Sequence, residues 1–268
     1  MKMNKKLIII KLGGSILTFK DRLGSVNIPI INRMAREIAI ANKDYHLIVI
    51  HGGGSFGHPY AYGYFLHEGF KHNHQLKGLL KTHYAMLHLN SIIINEFQRA
   101  GLTPFSFHPS SFITTSNGEI KTINFEPIVN SIKLGFIPIL YGDVVFDDKY
   151  GFNIVSGDKL CSHLSTLLNP CKVIFCCDVD GIYTADPKIS PHAKLLERIN
   201  LDEITLLIDA SSSLYKFDVT GGMKAKLLEA MKIVSKNIDV LIINAMHPNR
   251  LLNAIYESNF YGSKITLK

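Results

Sequence analysis

The chain has 268 residues, 47% of them hydrophobic and 19% charged, with a formal net charge of +7. That length carries one large α/β domain or two closely joined lobes, and the composition excludes a disordered chain. No apolar run approaches the ~18 residues of a membrane span, and Lys and Arg are spread along the chain rather than gathered into the stripe of a nucleic-acid binder. A basic balance suits a protein that must hold two polyanions together.

Taken in chain order, a basic N-terminus leads into the apolar run 7–10, which Lys11 cuts short. The run predicts a strand and not a signal peptide, so the expected compartment is the cytoplasm. A first glycine loop, Lys11-Leu12-Gly13-Gly14-Ser15, follows at once. A helical pattern over 30–41 and a strand over 47–50 lead to a second loop, His51-Gly52-Gly53-Gly54-Ser55-Phe56-Gly57-His58. An aromatic, His-rich stretch over 60–70 precedes a long amphipathic pattern over 76–100. Residues 103–125 alternate, with Asn117-Gly118 between β-prone segments, which predicts a hairpin. A strand over 138–140 and a turn over 147–151 follow, and Ser156-Gly157-Asp158 opens a helix over 158–168. Asn169-Pro170 marks a soft boundary between lobes 1–168 and 169–268. A strand over 173–177 runs into Asp178–Pro187, and a third glycine loop, Thr220-Gly221-Gly222-Met223, opens a helix over 224–236 before a strand over 240–243.

The strands are short, β-branched and continuous, as strands covered on both faces are. Their alternation with helices predicts an α/β fold, a three-layer αβα sandwich with a mainly parallel central sheet whose ligands bind at the carboxyl ends of the strands. Cys161, Cys171, Cys176 and Cys177 read as buried, reduced thiols; Cys176 and Cys177, adjacent in a strand, point to opposite faces and make a poor chelate. His67, His72, His74, His83, His88 and His108 share no metal-binding spacing beyond His72-x-His74, so no protein metal site is expected.

Glycine lets backbone N–H groups approach and face an anion, and a helix N-terminus adds a favourable field. Three such loops predict a polyphosphate site with a second anion nearby. Gly52-x-Gly54-x-x-Gly57 matches the dinucleotide fingerprint, but it closes the second strand, and no strand ending in an acidic residue follows. The sequence G-x-x-x-x-G-K-[ST] of the classical P-loop is absent.

Together, Lys11-Leu-Gly-Gly-Ser15, Gly52–Gly54, Asp178-Val-Asp-Gly-Ile-Tyr-Thr-Ala-Asp-Pro187 and Thr220-Gly-Gly-Met-Lys-Ala-Lys226 resemble the amino-acid-kinase superfamily over residues 6–244. Within it, the Gly-Gly-Gly-Ser-Phe-Gly-His-Pro run, Ser-Gly-Asp158 and the Phe-His-Pro-Ser-Ser segment look most like the isopentenyl phosphate kinases. The fosfomycin kinases share the lysine and histidine pattern, so the acceptor is read as a phosphate or phosphonate.

The resemblance implies ATP with Mg²⁺, the metal held chiefly by phosphates and water. Lys11 would reach the transferring phosphoryl group, Lys20 would cover it from the loop side, and Lys226 would meet the β- and γ-phosphates. Asp158 would orient those lysines by ion pairing. The nucleotide site would use Gly13, Gly14, Ser15, Asp178, Gly181, Tyr183, Asp186, Gly221 and Gly222. The acceptor would lie on Gly53, Gly54, Ser55, Gly57 and Gly157, with His58 on its phosphate and His83, Met86 and Phe107 around its tail. Kinases that look like this are usually homodimers. The different-class alternative, a non-catalytic nucleotide sensor, would be expected to have lost one of the three lysines, and all three are present.

Overall fold

The run LIIIKL offers water no polar face, and in the computed structural model, which describes residues 5–185, 190, 192–210 and 221–268, all six residues are buried. This strand, β1 (Leu7–Leu12), lies inside an eight-stranded sheet. The chain continues through α1 (Gly14–Leu17), α2 (Ile28–Ala41), β2 (His46–His51), α3 (Gly54–Gly63) and α4 (His74–Arg99). Next come β3 (Pro104–Ser106), α5 (Pro109–Phe112), β4 (Ile113–Ser116), β5 (Glu119–Ile123) and α6 (Glu126–Lys133). Then β6 (Ile137–Tyr141), β7 (Asp143–Asp147), β8 (Gly151–Val155) and α7 (Gly157–Leu168) follow. The chain closes with β9 (Lys172–Cys177), β10 (Arg198–Asn200), α8 (Leu201–Ala210), α9 (Gly221–Val234), β11 (Asp239–Asn244), α10 (Arg250–Tyr256) and β12 (Ser263–Thr266).

The main sheet has the order β10-β12-β11-β9-β1-β2-β6-β3, and its pairs are parallel except β11 with β12. Strand alternation sends Leu7 and Ile9 into one core and Ile8, Ile10 and Leu12 into the other. The first core is completed by Ile128 of α6, Leu160 and Leu164 of α7, and Leu227 and Ile233 of α9. The second is completed by Met34 of α2, Leu89 and Ile93 of α4, and Leu251 of α10. Helices therefore cover both faces, giving the three layers that the continuous apolar strands require. Cys176 and Cys177 lie in opposite cores, as adjacent strand residues must. Cys171 corrects the expectation of four buried thiols: it is exposed in the bend before β9.

Gly142 alone separates β6 of the main sheet from β7 of a second, four-stranded sheet of order β5-β4-β7-β8. The Asn117-Gly118 hairpin joins β4 to β5 with positive φ at both residues, 54° and 82°. Asp147 ties that turn to the β7–β8 turn: its carboxylate accepts from the N–H groups of Asn117, Gly118, Lys149 and Tyr150.

The predicted strands and helices are present, with ends shifted by a few residues. The stretch read as the tail of a glycine loop is instead helix α3, with Pro59 inside it. Proline has no N–H for the Ser55 carbonyl four residues back, and that carbonyl instead accepts from Gly24 N at 3.2 Å. The first two glycine loops meet backbone to backbone: a Cβ on Gly14 would stand 2.2 Å from Gly54 N, and one on Gly52 would stand 2.8 Å from Gly14 N. Gly14→Ala is therefore expected to lower stability by about 1–3 kcal/mol. Gly63→Ala, whose new methyl meets nothing within 4 Å, is expected to leave the melting temperature unchanged or raised. Thermal melts of the two variants check this; equal behaviour would refute the close contact.

Candidate active site

Lys11 shares the parity of Leu7 and Ile9, so its side chain enters the layer that holds α7 and α9. There its Nζ lies 2.7 Å from Asp158 Oδ1. Asp158 Oδ2 lies 2.7 Å from Nζ of Lys226, which α9 delivers from the other half of the chain. Both lysines are buried, at 7% and 8% exposure. The Lys226 ammonium also lies 4.9 Å from the centre of the Phe175 ring. Ser156 caps α7 by accepting from Lys159 N at 3.1 Å, which fixes Asp158 in the first helical turn. Gly157 packs against the strand end: a Cβ there would lie a tight 3.1 Å from the His51 carbonyl and in ordinary contact, 3.5 Å, with Lys11 Cε. Burial alone would raise the Asp158 pKa, but the Lys11 and Lys226 ammonium groups outweigh it and hold the carboxyl at about 2. Two cations and one anion leave the cluster with one unit of positive charge, which favours an anion beside it.

Lys20 corrects one expectation. It pairs with Asp178, Nζ to Oδ2 at 2.9 Å, rather than with Asp158. Ser15 Oγ donates to the other Asp178 oxygen at 2.9 Å. The reason is register: Leu12 stands opposite Cys176, so the chain after β1 and the chain after β9 emerge side by side. Burial works to raise the Asp178 pKa, and the hydrogen bonds from Lys20 and Ser15 hold it below its ordinary value. Lys20 itself is largely exposed.

Gly13 N donates to the Cys176 carbonyl at 2.8 Å, and Thr18 Oγ1 accepts from Ser55 N at 2.9 Å, so the first glycine turn is anchored to β9 and to α3. His58 lies in the first half of α3, one turn after Gly54, and not on a loop as the sequence suggested. Its ring reaches solvent; crowding by its surroundings and then the Lys11 ammonium lower its pKa, against the pull of Asp158. The lowered pKa favours the neutral imidazole, which can still donate one hydrogen bond.

Beside α4 lies an apolar cavity of about 220 Å³ whose walls include Leu79, His83, Val144, Val145 and Phe152. His83, one of the three residues expected around the acceptor's tail, is part of this wall. Met86 and Phe107 do not line this cavity. Met86 is 2% exposed and presses its sulfur under Gly53 and Gly57, supporting the turn from below. Phe107 packs on the first core beside Phe105 and Phe112.

In the segment after β9, Gly181 is buried where a Cβ would collide with Ser263 Oγ at 2.3 Å, and that hydroxyl accepts from Ile182 N. Tyr183 donates to Asp180 at 3.0 Å and bridges Leu195. Gly221 and Gly222 open α9, while Asp186, Pro187 and Thr220 lie outside the described residues. Sequence reasoning missed His51, Asn90 and Asp143. His51, fully buried beneath the second glycine turn, stacks on Tyr141 at 5.1 Å and contacts Asn90 Oδ1 at 3.3 Å, and burial lowers its pKa to about 4. Asp143 pairs with His83 at 2.8 Å. Only the fold brings these residues together; their sequence spacing carries no motif.

A family model described as the amino acid kinase family matches residues 6–244. The chain belongs to the amino acid kinase family. Over 98% of its length it is 35% identical to the isopentenyl phosphate kinase of Methanothermobacter thermautotrophicus, all of which is covered. It is 32% identical over 97% of its length to the isopentenyl phosphate kinase of Thermoplasma acidophilum, again covering all of that protein. Among solved structures, an X-ray structure of isopentenyl phosphate kinase matches with a TM-score of 0.85 at 33% identity, over 97% of this chain and 100% of that one. This amino acid kinase fold delivers the two halves of the charge cluster from β1 and α7 on one side and α9 on the other.

Asp158→Asn would leave two ammonium groups buried side by side, and it is expected to lower stability at pH 7 by about 3–5 kcal/mol. The folded pKa lies below the ordinary value of about 3.9. The contribution of Asp158 is therefore complete above about pH 4 and is lost as pH falls toward 2. Urea unfolding at pH 7 and near pH 3 should show the difference between the proteins shrink in acid; a constant difference would contradict the ion-pair account.

Proposed function

We propose that this member of the amino acid kinase family transfers the γ-phosphoryl group of ATP to isopentenyl phosphate, giving isopentenyl diphosphate. The observation that carries the reading is the buried Lys11–Asp158–Lys226 cluster at the carboxyl ends of β1 and β9, beside a glycine turn followed by His58. Relatives matched over almost the whole chain are named isopentenyl phosphate kinases, which supports this acceptor over fosfomycin.

A phosphate monoester has a second pKa near ~6, so the acceptor is largely a dianion at pH 7 and attacks without a general base. Positioning and charge stabilisation are then the main tasks of the protein. In this reading Lys11 and Lys226 meet the oxygens whose charge grows during transfer, and Asp158 holds both ammonium groups at a fixed spacing. Lys20 closes from the loop side once an anion competes with Asp178 for it. The N–H groups of residues 53–57 and the His58 ring hold the acceptor's phosphate, and the cavity beside α4 takes its tail. Gly181 and Tyr183 belong to the nucleotide side, which makes residues 1–168 the acceptor lobe and 169–268 the nucleotide lobe. Asp158 and Asp178 are each engaged by a lysine. Magnesium entering with ATP fits this donor set as a metal held mainly by phosphates and water, lowering the charge that the lysines must meet. We place the enzyme in the cytoplasm, as a homodimer.

A coupled ADP-release assay tests the acceptor. Isopentenyl phosphate is expected to show a much higher kcat/KM than fosfomycin, glutamate or aspartate; turnover of an amino acid without turnover of isopentenyl phosphate would overturn the reading. His58→Ala is expected to lower kcat/KM for the acceptor about 10- to 100-fold, the worth of a hydrogen bond to a charged group, with little change in the KM for ATP. Equal loss for both substrates with a lowered melting temperature would make His58 structural.

A further inference from the structure

The walls of the cavity beside α4 are aliphatic or aromatic except at His83 and Ser110. His83 Nδ1 lies 2.8 Å from Asp143 Oδ2, and Asp143 is 1% exposed. The other Asp143 oxygen accepts from Val144 N at 2.8 Å. Nδ1 is thereby committed, while Nε2 has no hydrogen-bond partner among the described residues. A carboxylate is costly to bury without a partner, and aliphatic residues at 83 and 143 would give a wall of uniform character. The pair is a polar feature set into an apolar cavity.

Its place along α4 indicates what it would meet. Met86, three residues further on, lies under Gly53 and Gly57, its sulfur 2.9 Å from the Cβ position of each. Three residues of helix rise about 4.5 Å. His83 therefore stands along α4 between the turn assigned to the acceptor's phosphate and the wall at Leu79 and the exposed Leu80. A tail leaving that phosphate passes His83 within its first few carbons.

We propose that this pocket also takes four- and five-carbon alkyl monophosphates that carry a hydroxyl in the tail, and that His83, held by Asp143, is the specificity-determining residue that hydrogen-bonds it. The proposal rests on the assignment of residues 53–58 to the acceptor's phosphate. A hydroxyl suits the ring in either protonation state. With Nδ1–H on Asp143, a neutral ring accepts the hydroxyl proton at Nε2; a protonated ring donates from Nε2–H to the hydroxyl oxygen. Ser110, from α5, adds a hydroxyl to the wall. The phosphoryl transfer itself is unchanged.

The test compares kcat/KM, with ATP saturating, for 3-methylbutyl phosphate and its 3-hydroxy and 4-hydroxy derivatives, with isopentenyl phosphate alongside. A wholly apolar pocket penalises a buried hydroxyl about 10- to 100-fold. The wild-type enzyme is expected to use at least one hydroxylated compound as well as 3-methylbutyl phosphate, or better. In the double variant His83→Leu/Asp143→Leu, which leaves no buried carboxylate unpaired, that ratio is expected to fall about 10- to 100-fold. His83→Gln, which keeps a polar group toward the cavity, is expected to lose less. Discrimination of 10-fold or more against both hydroxylated compounds by the wild type overturns the proposal, as does an unchanged ratio in the double variant. Turnover of isopentenyl phosphate in the same assay, with the acceptor-specific loss in His58→Ala, shows that the proposed function and its phosphate site stand when this proposal alone fails; no turnover of any monophosphate overturns both.

Discussion

One carboxylate holds two buried ammonium groups at the centre of this protein. Asp158 bridges Lys11 and Lys226, at 2.7 Å to each. Its two contacts join residues 147 and 68 positions apart in the chain: Lys11 comes from β1, Asp158 from α7 and Lys226 from α9. Without the shared anion, the two cations could not stay together away from water. With it, the cluster keeps one positive charge in excess and a fixed spacing, which is what a phosphoryl group between two other phosphates requires.

The rest of the architecture serves that contact. Parallel pairing of β1 with β2 and β9 brings the chain segments after all three strands to one end of the sheet. The turns there must approach backbone to backbone, and the absence of side chains at Gly14, Gly52 and Gly54 makes that approach possible. Gly157 eases the approach of α7 to the His51 carbonyl, 3.1 Å from where its Cβ would stand. Met86 and His51 support the second turn from beneath and carry no exposed chemistry of their own. The second sheet, pinned by Asp147 across two turns, stands over the cavity beside α4.

Much of this was legible in the sequence because it is local. Continuous β-branched runs read as strands buried on both faces, and Asn117-Gly118 as a hairpin turn. Lys11 was conspicuous because it follows an apolar strand and precedes two glycines. The Lys11–Asp158–Lys226 cluster came from the resemblance of ordered motifs, not from spacing. What was not legible depends on register and packing. Lys20 was assigned to Asp158, yet the pairing of β1 with β9 sets it beside Asp178. Residues 54–58 read as the tail of a loop because Gly is a poor helix former, and the structure makes them the start of α3, where Gly24 satisfies the carbonyl that Pro59 leaves free. Met86 and Phe107 are as apolar as any pocket lining, and only their neighbours show that they support the turn and the core. Asp143 was missed because nothing in the local sequence announces a carboxylate paired across 60 residues.

The central claim is that the charge cluster joins one phosphate to another. The most direct measurement is ³¹P NMR of the enzyme with ATP, magnesium and isopentenyl phosphate. The account predicts that the monophosphate singlet gives way to the two mutually coupled doublets of a diphosphate ester as ADP accumulates. Accumulation of ADP and orthophosphate with the monophosphate singlet intact would contradict it.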